Sequence, residues 1–327
     1  MTSHTNCNDY TIGWICTLPV ELAAAQEMLD FKQEYRDKDD PNIYTLGRVG
    51  GHNVVLVCLP PNQIGPNYTT AVTIQMMITF PIIGFVLLVG TGGGIPSKSA
   101  DIRLGDIVVS EPVNGHSAII QYDFGKCTPS GFEQTGSLYN PPPILLNAVK
   151  ELRYKQSQGG GSLTPHLSKL SRYSIFRRDQ AGQDVLFEAN YQHDQARGDS
   201  CVSCNAMKLV ERKERANNAP LVHYGSALSG CWIMQSGAER DRISSQFGRA
   251  LCFEMQAVGV MNILPCLAIC GICDYADSHR SKSWQPYAAA TSAAYAKELL
   301  LGIGPTRRST SGNLKVDDRQ STTTVVY

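Results

Sequence analysis

Apolar and polar positions follow two patterns along this chain. Short apolar runs rich in β-branched residues are typical of buried strands, and longer segments with apolar residues at helical spacing are typical of helices. The first pattern predicts strands at residues 10–16, 42–46, 52–58, 82–89, 103–110, 119–124, 221–229 and 266–270. The second predicts helices at residues 20–31, 68–80 (with Asn67 as its N-cap), 144–155, 239–246 and 287–301, and one that opens at Glu254. Because strands and helices alternate, the sequence predicts an α/β fold.

These patterns occupy residues 10–302 and stop on either side. Residues 1–9 and the polar, Ser/Thr-rich residues 303–327 have no apolar periodicity. We therefore predict a disordered N-terminus, one large folded domain, and a disordered tail or linker stub.

Composition limits the partners of this domain. The chain of 327 residues is 43% hydrophobic and 18% charged, and its 29 Lys and Arg residues balance 29 Asp and Glu residues. A formal charge of zero does not favour binding to a nucleic-acid polymer or to an anionic membrane. The N-terminus lacks the basic segment followed by an apolar segment that a secretory signal has. The longest apolar run, residues 80–89, is too short to cross a bilayer. We therefore predict a cytoplasmic protein that contacts neither partner.

Eleven cysteines are present, and several lie inside apolar runs, which indicates buried, reduced thiols: Cys16, Cys58, Cys252, Cys266, Cys270 and Cys273. Cys201 and Cys204 form a CxxC pair, with His193 upstream. A structural zinc site usually needs four ligands, commonly from two such pairs. These three residues do not complete one, so the sequence assigns no metal site and leaves open whether Cys201, Cys204 and His193 bind a metal.

Several polar groups and glycines follow predicted strands, where ligands bind in open α/β sheets. Asp274 comes shortly after the apolar run 266–270, and Glu21 follows the first strand. Gly90, Thr91 and Gly92 follow strand 82–89, where glycines let backbone approach a ligand and leave N–H groups free. Each feature also has a purely structural interpretation, because Glu21 can complement a helix dipole, Asp274 can be an N-cap, and tight turns need glycine.

Several segments in this order resemble the nucleoside phosphorylase / methylthioadenosine nucleosidase superfamily, and within it a phosphorylase-like domain found in fungi, often at the N-terminus of larger proteins. They are YTIGWICTLPVELAAA, YTLGRVGGHNVV, VGTGGGIPSKSADIRLGDIVVS, QYDFGK, HYGSALSG, FEMQAVGVMN and GICDYADSH. The resemblance implies a single three-layer α/β/α domain with a mixed, partly barrel-like central sheet. It also implies cleavage of the N-glycosidic bond of a nucleoside, by phosphate in phosphorylases or by water in nucleosidases.

The resemblance assigns roles to individual residues. Asp274 would protonate the purine N7, which requires that it hold a proton near neutral pH, and Glu21 would activate water. Gly90, Thr91 and Gly92 would meet the nucleophile and the ribose. Glu254, Met255 and Gln256 match the family's Glu-Met-Glu motif, and Ile233 falls where an aromatic residue commonly stacks on the base.

Three departures from the family pattern bear on activity. Gln256 replaces a carboxylate that accepts hydrogen bonds from the ribose hydroxyls, and a neutral amide makes weaker bonds than a charged acceptor. Leu88 stands where phosphorylases carry a phosphate-binding Arg, which favours water as nucleophile. Cys270 stands where relatives often have Arg.

Our leading hypothesis is therefore cleavage of a purine nucleoside or an adenine nucleotide, by water rather than by phosphate. It needs no cofactor, except inorganic phosphate as co-substrate if the enzyme is a phosphorylase. A catalytically weakened or inactive nucleoside-sensing module, or a protein-interaction domain, are the alternatives. A homo-oligomer is possible on the family pattern.

Overall fold

The computed structural model describes residues 6–135, 140–194 and 201–304. Its strands are β1 (Ile12–Cys16), β2 (Phe31–Arg36), β3 (Ile43–Val49), β4 (His52–Cys58), β5 (Phe85–Gly94), β6 (Ile107–Ser110), β7 (Ile119–Gln121), β8 (Gly125–Thr128), β9 (Gly131–Gln134), β10 (Val222–Gly225), β11 (Ala227–Ser229), β12 (Cys252–Glu254) and β13 (Cys266–Asp274). Its helices are α1 (Pro19–Met28), α2 (Pro66–Thr79), α3 (Pro143–Ser157), α4 (Thr164–Leu170), α5 (Gly237–Gln246), α6 (Ala257–Met261) and α7 (Gln285–Gly302).

A mixed sheet forms the middle of the molecule, with strand order β10-β6-β13-β5-β1-β4-β3-β2. Strands β13, β5, β1 and β4 are parallel neighbours. β6 is antiparallel to β13 and parallel to β10, β3 is antiparallel to β4, and β2 is antiparallel to β3. The carboxyl ends of β13, β5 and β1 therefore meet at one edge of the sheet. This edge is where open α/β sheets bind ligands.

Side chains that alternate along the central strands fill two apolar layers. Trp14, Leu87 and Leu267 face α1, α3, α4 and α7. Ile15, Leu88 and Ala268 face α2 and α6 on the other side. This arrangement confirms the predicted three-layer α/β/α fold.

The sheet branches at the glycine-rich end of β5. There β5 pairs with β13 and also, antiparallel, with β12, which continues into β11 and β7. A separate apolar cluster that includes Phe253, Leu228 and Ile243 of α5 covers this branch. The described strands thus curve around one end of the sheet without closing a barrel.

Several predicted elements need correction. The helix predicted at residues 20–31 ends at Met28, and Phe31–Arg36 is an edge strand that pairs with β3. Gly65 is the N-cap of α2, in place of Asn67. Glu254 ends β12, so it does not open a helix, and the strand predicted at 221–229 is two strands, β10 and β11.

Residues 6–9 and 303–304 of the two predicted tails are among the described residues, and residues 1–5 lie outside them. Cys7–Asp9 forms a short 3-10 helix, and Asn53 donates a hydrogen bond to the Asp9 carbonyl at 3.0 Å. The prediction for residues 305–327 lies outside the described residues. Within the described residues, no helix combines the length and apolar character that a membrane crossing requires.

All eleven cysteines are described, and all are free thiols. Cys16, Cys252, Cys266, Cys270 and Cys273 are buried, whereas Cys58 is only partly so.

Candidate functional site

A cleft opens at the shared carboxyl ends of β1, β5 and β13. The residues that line it include Glu21, Thr91, Gly92, Ile233, Glu254, Met255, Gln256 and Asp274. Every site residue predicted from the sequence therefore lines this one cleft, except Gly90, which packs against the Glu21 carboxylate. The structure brings together residues that are far apart along the chain.

Glu21 lies in the first turn of α1, directly after β1, and its side chain is buried. Its Oε2 accepts hydrogen bonds from the backbone N–H groups of Thr17 and Leu18, at 2.8 and 3.0 Å. Its Oε1 accepts from Thr91, through the N–H at 2.8 Å and the hydroxyl at 2.9 Å. Burial raises the pKa of the Glu21 carboxyl, and these hydrogen bonds oppose that rise. Glu21 thus caps its own helix, and its side chain also lines the cleft.

The glycines after residue 89 form part of strand β5, which extends beyond its predicted end. β5 continues to Gly94, and Gly90, Thr91 and Gly92 lie opposite Cys270, Gly271 and Ile272 of β13. Glycine is required there for close packing, since a Cβ on Gly90 would lie 3.0 Å from the Glu21 carboxylate. The expected free N–H groups are therefore largely in use, and that of Thr91 is directed at Glu21.

Asp274 is the last residue of β13 and is buried. The register shifts by one residue between Ile272 and Asp274, and such a bulge re-aims the side chain that follows it. Its Oδ1 accepts from the N–H of Ala276 at 2.9 Å, and its Oδ2 lies 3.0 Å from Nε of Arg280. No helix follows directly, so Asp274 caps a turn and is not a helix N-cap.

The motif at residues 254–256 leads from β12 into α6. Glu254 is buried, and its Oε2 accepts from the N–H groups of Gln256 and Ala257, at 2.7 and 2.9 Å. Burial raises the pKa of Glu254, and the Ser229 hydroxyl and the two N–H groups act against the rise. Gln256 is also buried, and its Oε1 accepts from the N–H of Met255 at 3.2 Å. The Gln256 amide is thus turned back on its own backbone.

An exposed loop covers the other side of the cleft. Ile233 is 50% exposed and the neighbouring Trp232 is 67% exposed. Tyr122 donates a hydrogen bond to the Trp232 carbonyl at 3.1 Å, and Asp123 accepts one from the N–H of Cys231 at 2.6 Å. Two large apolar side chains at the mouth of a cleft suit contact with a flat aromatic ring.

Arg280 and Trp232 line this cleft and were not predicted from the sequence as site residues. Arg280 is the one cationic side chain among the described residues that line it, and it pairs with Asp274. The sequence signal for Arg280 is its position six residues after Asp274, in a polar turn. Trp232 also lines the cleft and presents an aromatic surface beside Ile233.

Leu88 and Cys270 are buried within β5 and β13 and do not line the cleft. The Leu88 position therefore offers no group to an anion.

A second polar network holds the turn after Asp274. Arg212 donates to the hydroxyl of Tyr275 at 2.8 Å and pairs with Asp184 at 3.0 Å. Arg215 binds the buried Asp106 through two nitrogens, each at 2.7 Å. Arg215 and His223 keep the pKa of the Asp106 carboxyl below its ordinary value, against the effect of its burial. The basic segment that carries Arg212 and Arg215 is therefore partly buried and supports the turn after Asp274.

Comparison with known proteins is consistent with this geometry. The model of the family described as the phosphorylase superfamily matches residues 11–301. A nucleotide-binding leucine-rich repeat (NLR)-like protein of Hyaloscypha variabilis is 42% identical over 307 residues, which cover 91% of this chain and 30% of that protein. The chain thus spans less than a third of the length of that relative.

Solved structures with the same fold share little sequence with this chain. The 5'-methylthioadenosine/S-adenosylhomocysteine nucleosidase of Neisseria meningitidis, in complex with methylthio-immucillin-A, has a TM-score of 0.58 at 17% identity and covers 89% of this chain and 98% of its own. The futalosine hydrolase of Helicobacter pylori gives 0.58 and 17%, with 89% and 97% covered. At this identity the likeness establishes the fold alone.

Proposed function

Because this chain belongs to the phosphorylase superfamily, we propose that its cleft binds a purine nucleoside or an adenine nucleotide and cleaves the N-glycosidic bond. One observation carries the proposal: two buried carboxylates, Glu21 and Asp274, line a single cleft on either side of β5. Cleavage of this bond needs a group that assists the departing base and a group that places the nucleophile. Solved structures of the same fold are named as nucleosidases in complex with nucleoside analogues, which supports a nucleoside ligand.

In this mechanism water attacks C1′ of the ribose. Glu21 takes the proton of that water, and Asp274 gives a proton to N7 of the base as the C1′–N9 bond breaks. Nε of Arg280 lies 3.0 Å from Oδ2 of Asp274, so the Arg280 side chain must turn away before that oxygen can face N7 of the base. The side chain of Arg280 is 32% exposed and can reach solvent.

Water is favoured over phosphate by the charges in the cleft. Arg280 is the one cation among the described lining residues, and it is engaged by Asp274. The nucleophile end is occupied by the Glu21 carboxylate, which would repel a phosphate, and Leu88 supplies no charge there. A phosphorylase would need a charged, bidentate donor at that end.

A nucleoside-binding module without turnover is the second candidate, and the contacts of Glu21 favour it. An ionised carboxylate has about four lone-pair sites, and four protein donors already bond to Glu21. An attacking water would have to displace one of these donors.

Chromatography of free base, released from adenosine, inosine, guanosine, methylthioadenosine and ATP with and without phosphate, tests the proposal. We expect base release that does not depend on phosphate, and loss of release in Asp274→Asn. Strict dependence on phosphate would contradict the choice of water. Calorimetric binding of a nucleoside without any base release would identify the binding module.

A further inference from the structure

We propose that His193, Cys201, Cys204 and His279 bind a Zn²⁺ ion in a structural site beside the cleft. The CxxC pair and His193 do not complete a site in the sequence, but the fold brings His279 to them. One ligand atom each of His193, Cys204 and His279 lies within 4.8 Å of the other two. Cys201 adjoins this group, with its Sγ 3.9 Å from Nδ1 of His193 and 4.0 Å from the carbonyl oxygen of His279.

Two distances from His193 to the thiols lie within about 0.1 Å of those in a tetrahedral zinc site. With Zn–S and Zn–N bonds of about 2.3 and 2.0 Å, tetrahedral ligand atoms lie about 3.3–3.8 Å apart. Nδ1 of His193 is 3.2 Å from Sγ of Cys204 and 3.9 Å from Sγ of Cys201. Two thiolates and two neutral imidazoles around Zn²⁺ also carry no net charge, which suits a partly buried position.

His279 gives independent support for a ligand. Its side chain is only 4% exposed, and neither ring nitrogen has a hydrogen-bond partner among the described residues. Buried polar groups are normally paired, so an imidazole in this condition needs an explanation such as a metal ion. Phe187 stacks on the ring at a centroid distance of 4.1 Å and excludes water from that face.

The surroundings of His279 resemble those of a metal ligand. Nδ1 of His279 lies 3.8 Å from Oδ1 of Asp277. A carboxylate beside one ring nitrogen commonly orients a histidine that binds zinc through the other nitrogen. An open depression lined by Tyr191, His193 and Ser278 adjoins the cluster and gives an ion a path to it.

The same CxxC spacing recurs at Cys270 and Cys273 but cannot chelate. Both residues lie in β13, where side chains three residues apart point to opposite faces of the sheet. Cys201 begins a short 3-10 helix, and this turn of backbone places Cys204 on the same side as Cys201. The two pairs have the same spacing, and the local backbone conformation decides which pair can bind one metal ion.

The ion would fix the turn that carries Arg280. His279 precedes Arg280, whose Nε is 3.0 Å from Asp274, and the N–H of His193 donates to the Ser278 hydroxyl at 2.9 Å. A metal that joins His279 to the segment of Cys201 and Cys204 would thus hold the loop beside the proposed acid. The role of the metal is structural, so its binding does not depend on nucleoside cleavage.

Elemental analysis of the purified full chain tests the site directly. We expect one zinc ion per chain, which a strong chelator removes with a fall in melting temperature. After replacement by Co²⁺, the visible spectrum should show thiolate-to-cobalt absorption and tetrahedral cobalt bands. A chain that lacks zinc and shows neither cobalt feature would overturn the proposal, as would a Cys201–Cys204 disulfide in the native metal-free protein.

Single substitutions then assign the ligands. Loss of a group that only orients a ligand weakens metal binding about 10- to 100-fold, so Cys204→Ser and His279→Gln should lose at least that much. Cys7→Ser is the matched control, since Cys7 is equally half-buried and lies outside the cluster. Equal zinc affinity in Cys204→Ser and Cys7→Ser would also reject the site. Should the ligand variants not fold, the cobalt spectrum of the natural chain still decides.

Discussion

Thr91 binds one oxygen of Glu21 twice, through its backbone N–H at 2.8 Å and its hydroxyl at 2.9 Å. This contact ties the end of β5 to the first turn of α1 across the cleft. It also stabilises the ionised form of a carboxylate that burial disfavours. Four experiments follow from this and from related contacts.

Thr91→Val removes the hydroxyl donor and keeps the side-chain volume. A hydrogen bond to a charged group contributes about 1.5–3 kcal/mol, so we expect a loss of stability of that order in urea unfolding. The pKa of Glu21 should rise further, and the acidic limb of the pH–rate profile should move to higher pH. Cleavage at neutral pH should fall on the order of tenfold.

Thr91→Ser is the control for this change, because it keeps the hydroxyl. An unchanged acidic limb in Thr91→Val would mean that Glu21 is not the base.

Glu254→Gln should change how stability depends on pH. Burial raises the pKa of Glu254 in the folded chain above the unfolded value of about 4.3. The stability contributed by this group is therefore fully present below about pH 4.3 and is lost as the pH rises through the folded pKa. Relative to the natural chain, Glu254→Gln should gain stability across that window, as measured by urea unfolding from pH 4 to pH 8.

Glu239→Gln is the control, because its effect on stability should depend on pH in the opposite direction. A hydrogen bond from Arg242 lowers the pKa of Glu239, so its contribution is lost as the pH falls. If the difference in unfolding free energy between Glu254→Gln and the natural chain did not change with pH, the pKa of Glu254 would not be raised in the folded chain.

Gly93→Ala should disrupt the packing of β5 against the turn after Asp274. The added Cβ would lie 2.8 Å from Oδ1 of Asp274 and 2.9 Å from Cβ of Ala276. Ala276 already has a φ of 51°, which leaves the turn little freedom to adjust. Overpacking costs about 1–3 kcal/mol, so we expect a lower melting temperature and weaker nucleoside binding.

Gly302→Ala is the matched control, since nothing lies within 4 Å of its added Cβ. It should leave stability unchanged or raise it by up to about 1 kcal/mol through helix propensity. Equal effects at both glycines would show that the Gly93 contact does not matter.

Gln256→Glu should increase nucleoside cleavage. A carboxylate offers charged acceptors to ribose hydroxyls and stabilises a cationic ribose in the transition state, whereas the amide does neither. If about 1.4–4 kcal/mol of transition-state stabilisation is regained, the rate of base release should increase by a factor between about ten and several hundred. Steady-state kinetics of base release measure this.

Gln246→Glu adds the same charge on an exposed helical surface and should leave the rate unchanged. A rate that stays the same or falls in Gln256→Glu would show that the ribose is not held at this position.

Sequence patterns predicted most of the central sheet and the principal helices, because these segments carry a burial signal of their own. β1, β4 and α7 lie within about two residues of their predicted bounds. β2 was missed because FKQEYR has no buried face: the strand lies at the edge of the sheet, and its pairing with β3 forms it. Periodicity reports burial, so an exposed edge strand leaves no pattern to find.

The glycine run shows a similar limit. A series of glycines predicts a loop, since glycine is a poor strand former. Here β13 and β12 pair with this segment, and Glu21 and Asp274 pack where side chains would otherwise stand. The requirement for glycine came from close packing with residues far away in the chain.

The sequence by itself determined the fold class and the family, together with two carboxylates, Glu21 and Asp274, placed at strand ends. Those features depend on local patterns and on motifs that are continuous in the chain. Only the tertiary structure decided that Arg280 pairs with Asp274, that four donors surround Glu21, and that His279 lies beside His193 and Cys204. Hydrogen bonds, ion pairs and metal ligands depend on distances in space, and chain folding sets those distances between residues that no sequence spacing relates.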